Sequence, residues 1–207
     1  MTSAIESRSG GHTRIQIRNR EAILRAGLDV FSRHGFRGST LDQIAEGAGL
    51  SKANLLYYFP TKEAIYTTLL EHLLETWLDP LRELDAEGDP LAELLSYMRR
   101  KLAMSRDYPR ESRLFAGEIL RGAPEIHDVL KGELKTLVDE RAAVIASWAE
   151  NGKIAPVDPH HLIFSIWSLT QHYADFDVQV RAVLGTADPF PGAEAHLEQL
   201  LERLLRP

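Results

Sequence analysis

The run from Thr40 to Glu63 carries its own punctuation, and that punctuation dictates two short helices joined by a tight turn. Thr40 is a good N-cap, and Gln43 can reach back to close a capping box. Leu41, Ile44, Ala45 and Ala48 then fall on one face at helical spacing. Gly49 can adopt the left-handed conformation that ends a helix. Leu50 precedes a second cap, Ser51, and can pack against Leu55 one turn into the next helix. Burying Leu50, Leu55 and Phe59 turns Lys52, Asn54 and Tyr57 outward. Pro60 stops this helix and Thr61 caps the next. A short apolar-periodic helix, a Gly turn and a polar-faced second helix make the helix-turn-helix arrangement that reads the DNA major groove. The spacing alone would suit any helical hairpin in a bundle. Caps, turn and outward Lys, Asn and Tyr together favour the DNA reader.

The residues expected to face DNA are Thr40, Ser51, Lys52, Ala53, Asn54, Tyr57 and Tyr58, with Lys62 and the start of the first helix neutralising phosphates. Charge distribution agrees. Residues 1–65 hold nine Lys and Arg against six Asp and Glu, whereas the remainder holds fifteen against twenty-four, within a net charge of −6. A mildly basic N-terminal unit on an acidic body suits a DNA reader joined to a domain with another job; chance clustering gives the same numbers. Arg8, Arg14, Arg18 and Arg20 sit in or beside a Ser/Gly-rich arm over residues 1–13. Such an arm can touch phosphate or a groove, although a solvated tail is the commoner outcome.

The rest reads as helix, giving an all-α fold. Helices are expected from about Asn19 to His34, from Thr61 through Trp77, from Arg110 to Leu120, from Glu125 to Glu150, from Pro159 to about Val183, and from about Ala193 to Leu205. Asp79-Pro80, Asp89-Pro90 and Asp158-Pro159 each look like an N-cap followed by Pro at the first helical position. No alternating strand pattern, repeat or low-complexity segment interrupts them. The expected division is an arm over 1–13, a DNA-binding domain over 14–62 and a helical body over 63–207. At 207 residues there is room for one or two domains with a real core. The chain has no Cys, which excludes disulfides and thiolate chemistry. Without a signal-type or membrane-spanning apolar run, a cytoplasmic protein is expected, with no membrane partner.

The stretch Thr40 to Glu63, following Val30-Phe31-Ser32-Arg33-His34-Gly35-Phe36, resembles the TetR family of bacterial one-component regulators. Many members carry Tyr and His where this chain has Leu56 and Tyr58, and Gly where it has Ala53. The variant Asn54-Leu55-Leu56-Tyr57-Tyr58-Phe59-Pro60 is similar to the family's pyrimidine-utilisation branch. So are Ser105-Arg106-Asp107-Tyr108-Pro109, Ser112-Arg113-Leu114-Phe115, Gly122-Ala123-Pro124 and Thr170-Gln171-His172-Tyr173-Ala174-Asp175-Phe176. The resemblance implies an operator-binding homodimer, a repressor, whose helical body senses a small effector such as uracil or thymine and needs no cofactor. A different small effector is the alternative within the same family.

For the sensor, Trp167, Gln171 and Asp175 share one helical face, and His172 and Phe176 form the adjacent stripe. A Gln amide can pair with an imide edge, which offers N–H beside C=O. Trp77, Trp167 and Phe115 can cover a flat ring, with Arg113 or Asp175 completing the polar contacts. Each has a plainer reading as core aromatic, locally satisfied amide or solvated charge; the resemblance favours Gln171, then Trp77 and His172. Leu197, Leu200, Leu201 and Leu204 form a stripe on the last helix that serves either a dimer interface or its own subunit's core. The resemblance tips it toward the interface. Enzyme readings are thin. His172 with Asp175 can be drawn as a base and its orienter, but no nucleophile or oxyanion donor accompanies them. His160 and His161 diverge on a helix and do not suit one metal. An architectural DNA-binding protein is poorly matched by the acidic body.

Overall fold

The computed structural model describes residues 14–207, so the expected arm, with Arg8, lies outside the described residues. Two compact units divide between Tyr66 and Thr67. The first is built from α1 (Arg14–Gly38), α2 (Leu41–Gly47), α3 (Lys52–Tyr58) and the opening turn of α4 (Lys62–Arg82). The division falls a turn later than the expected end at Lys62, because Ile65 and Tyr66 belong to this unit's core. The Tyr66 ring packs edge-on to Phe31 at 5.0 Å and against Phe36 at 4.8 Å. Ile23, Ile44 and Leu55 are fully buried around them. The helical path of α1 is broken at Gly35, whose φ of 66° is left-handed and open to glycine at little cost. Ser39 secures the break by donating to the Gly35 and Val30 carbonyls at 2.6 and 3.3 Å.

The second unit continues α4 and adds α5 (Pro90–Asp107), α6 (Pro109–Leu120) and α7 (His127–Val129). A π-helical stretch, Leu130–Leu134, then joins α7 to α8 (Lys135–Glu150). The chain closes with α9 (Pro159–Asp175), α10 (Asp177–Leu184) and α11 (Phe190–Leu205). Asp89 and Asp158 cap α5 and α9 as expected, each carboxylate accepting a backbone N–H three residues on, with Pro at the first position. Asp79-Pro80 does not start a helix. Pro80 lies inside α4, where it removes one backbone hydrogen bond, and α4 runs on because Leu78 and Leu81 are buried in the core. The expected single helix from Pro159 to Val183 is broken at Phe176, whose φ and ψ of −114° and 28° leave the helical region.

The core of this unit runs through Leu94, Met98, Leu102, Ile145, Ile163 and Ile166. The leucine stripe of α11 divides. Leu197 and Leu201 are buried within it, at 1% and 2% exposure, so these two pack on their own subunit rather than an interface. Leu200 and Leu204 remain exposed, at 39% and 48%.

Candidate functional site

The helix-turn-helix is held by the bonds its sequence calls for. The Thr40 hydroxyl accepts the Gln43 N–H, and the Gln43 side chain accepts the Thr40 N–H at 2.9 Å. Gly49 takes a φ of 68°, and the Leu50 N–H donates back to the Ala45 carbonyl at 2.9 Å. The Ser51 hydroxyl accepts the Asn54 N–H, capping α3. With Leu55 and Phe59 buried, Ser51, Lys52, Ala53, Asn54 and Tyr57 are left on the exposed face of α3. Lys52 is held by Asp42 of α2 at 2.9 Å, an exposed ion pair of little stabilising value. Tyr58 is half-buried, its hydroxyl accepting from Asn19 of α1 at 3.0 Å. The more exposed Tyr57 hydroxyl receives Gln16 at 3.4 Å.

Lys62 departs from its expected phosphate role. Its ammonium donates to the Phe36 and Ser39 carbonyls, both at 2.8 Å, and sits 4.5 Å from the centre of the Phe36 ring. The charge is spent on the chain end of α1, where unsatisfied carbonyls attract a cation.

In the second unit, side chains of four helices close a circuit. Trp77 of α4 packs against Phe115 of α6, with ring centres 5.6 Å apart. One turn before Phe115, the buried Ser112 hydroxyl donates to Asp175 of α9 at 2.6 Å. One and two turns back along α9 lie Gln171 and Trp167, and the Trp167 indole N–H donates to the Tyr97 hydroxyl of α5 at 2.5 Å. One turn beyond Tyr97 is Lys101, whose ammonium lies 5.1 Å over the Trp77 ring. Burial holds the Asp175 carboxyl above the usual range, partly offset by the Ser112 hydroxyl and the Arg113 charge. Gln171 is half-buried, and no hydrogen bond of its side-chain amide is found among the described residues.

Two expected sensor residues lie outside this circuit. His172 is exposed and stacks on Phe176 at 5.0 Å, because it occupies the solvent side of α9. Arg113 is exposed and donates to the Ala174 carbonyl at 3.2 Å, tying α6 to the last turn of α9. His172 therefore makes no catalytic pair with Asp175, whose oxygen is taken by Ser112. The sequence reading missed Lys101. Its signal was positional: it lies on the α5 stripe shared by Leu94, Tyr97, Met98 and Ser105, all buried.

Residues 23–69 match the profile described as bacterial regulatory proteins, tetR family, and residues 70–207 match that of the YcdC-like protein C-terminal region. The chain belongs to the TetR family. It is 53% identical over 185 residues to the HTH-type transcriptional regulator RutR of Escherichia coli strain K12, covering 89% of this chain and 87% of RutR. It is 29% identical to the HTH-type transcriptional repressor NicS of Pseudomonas putida, over 66% of this chain and 64% of NicS. A putative transcriptional regulator of Streptomyces coelicolor, SCO4942, shares the fold with a TM-score of 0.72 at 23% identity, over 91% of this chain and 99% of that one. This TetR-family chain is a DNA-binding transcriptional regulator, not an enzyme. No described helix is long and apolar enough to cross a membrane.

Proposed function

We propose that the chain binds its operator as a homodimer, represses, and is released by a planar imide, uracil or thymine. The observation that carries the effector half is Gln171. Its half-buried amide lacks a protein partner among the described residues and shares a helix face with Trp167 and Asp175. A carbonyl beside an N–H donor complements the N–H beside C=O of a pyrimidine imide. Trp77, Phe115 and Trp167 supply the apolar cover that a flat ring needs. The resemblance of residues 170–176 to the pyrimidine-utilisation branch supports the same choice.

On the DNA side, Lys52, Ala53, Asn54 and Tyr57 of α3 enter the major groove, flanked by Thr40, Ser51 and Tyr58. Lys52 exchanges Asp42 for the nucleic acid. A two-fold dimer offers two such helices to two half-sites, and the exposed Leu200 and Leu204 are the α11 residues suited to that contact. α4 links the functions in sequence, since its first turn belongs to one unit and Trp77 to the other. An effector that binds the two states of α4 unequally shifts the equilibrium between them.

Calorimetry with uracil, thymine and adenine on wild type and Gln171→Leu tests the effector. Wild type is expected to bind both pyrimidines and ignore adenine. Gln171→Leu should bind them roughly five- to a hundredfold more weakly, the cost of a buried polar edge left unpaired. A wild type that ignores both pyrimidines overturns the effector and leaves the operator-binding reading standing.

A further inference from the structure

We propose that Lys101 is the charged contact of the effector: its ammonium donates to the carbonyl oxygen of the imide that Gln171 leaves unpaired. The inference rests on the imide reading above. A pyrimidine imide has two carbonyls flanking one N–H, and a single Gln amide can serve the N–H and only one of them. The second oxygen needs another donor.

Lys101 is the donor the structure holds ready. It is 4% exposed, yet it makes no ion pair among the described residues. Of its three N–H donors, one reaches the Trp77 carbonyl at a long 3.4 Å, and the charge otherwise rests over the Trp77 ring. A buried cation without a carboxylate costs folding free energy, so its retention asks for a compensating role. Burial alone pulls its pKa down to about 8. Of the carboxylates on the surrounding helices, Asp79 of α4 is engaged by Arg82, Glu118 of α6 by Arg121, Asp175 of α9 by Ser112, and Glu194 and Glu198 of α11 by Arg99, while Glu71 and Glu75 of α4 are exposed and Glu111 of α6 is half-buried. On its own helix Tyr97, one turn back, is kept neutral by burial, and the adjacent Arg99 and Arg100 are paired with Glu198 and Glu83. An acceptor oxygen placed on the ammonium stabilises its charged form, so at pH 8 a fraction of a proton enters with the ligand.

The experiment compares uracil with 4(3H)-pyrimidinone, which keeps one carbonyl beside an N–H and lacks the second carbonyl. Calorimetry at pH 8 in two buffers of different ionisation enthalpy reads affinity and proton uptake together. Wild type is expected to prefer uracil by about tenfold or more, as for loss of a charged hydrogen bond, and to take up protons with uracil. Lys101→Met should bind both ligands alike with no uptake. Lys101→Gln, which keeps an N–H donor, should recover part of the preference but none of the uptake. If the variants keep the wild-type preference and uptake, or lose both ligands equally, Lys101 has only a structural role and the inference falls while the imide reading stands. If wild type binds neither ligand, the imide reading falls and this inference with it.

Discussion

Two lysines a short distance apart in sequence, Lys52 and Lys62, have opposite fates. Lys52 is exposed and held by a weak ion pair, whereas the Lys62 ammonium is committed to two backbone carbonyls. Lys52→Ala is expected to weaken operator binding and reduce the slope of log K against log salt by roughly 0.9, the share of one neutralised phosphate. Asp42→Asn should strengthen binding slightly, since it frees Lys52 and removes a negative charge. Fluorescence anisotropy across a salt series checks both; an unchanged slope in Lys52→Ala removes that residue from the phosphate contacts. Lys101 makes a prediction about the free protein. Its folded pKa, about 8, lies below the unfolded value of 10.5, so the unfolded chain binds more protons between those values and stability rises with pH there. Lys101→Met should therefore gain more stability relative to wild type at pH 7 than at pH 9, by about 1 kcal/mol. Staying below pH 10 keeps Tyr97 out of the comparison, because its ionisation in the unfolded chain favours unfolding only above that range. Urea unfolding at the two pH values gives the difference, and a stability gap between variant and wild type that does not change from pH 7 to pH 9 contradicts the unpaired-charge account.

At the scale of the element, caps explain what could be read from sequence. α2, α3, α5 and α9 start where Thr40, Ser51, Asp89 and Asp158 say they should, because each of these side chains satisfies a backbone N–H a turn away. That information is local and survives in one dimension. Thr40→Ala is expected to destabilise the first unit by about 1 kcal/mol. Lys62→Met, which strands two half-buried carbonyls, should cost about 1–3 kcal/mol and leave the salt slope of DNA binding unchanged. A Lys62→Met protein of wild-type stability with a reduced slope would return Lys62 to the DNA. What sequence misjudged depends on packing between elements. Pro80 looks like a helix start until the burial of Leu78 and Leu81 carries α4 through it. In Arg99-Arg100-Lys101 a basic run hides one residue pointing inward, marked in sequence only by its place on the apolar stripe of α5, and the assembly of α4, α5, α6 and α9 shows what it faces. His172 and Gln171 are adjacent in sequence, yet one faces solvent beside Phe176 and the other is half-buried near the circuit.

For the whole molecule, the proposed function joins an operator-binding unit to a sensing unit in a homodimer. The leucine stripe alone was ambiguous, and its division explains why: Leu197 and Leu201 serve their own core while Leu200 and Leu204 are left outside. Replacing Leu200 and Leu204 together by Glu is expected to give a folded monomer by sedimentation that binds a full operator poorly. A variant that stays dimeric places the contact elsewhere on the molecule. The central claim is that effector and DNA compete through one equilibrium, each weakening the other by the same factor. The direct measurement is anisotropy of a labelled duplex, selected from a random pool by this protein, titrated with wild type in the absence and presence of saturating uracil. The account predicts tight, sequence-specific binding that uracil weakens at least several-fold and adenine leaves unchanged, with Gln171→Leu still binding the duplex and no longer released. Specific binding that is indifferent to uracil at a concentration that saturates the protein by calorimetry would contradict it.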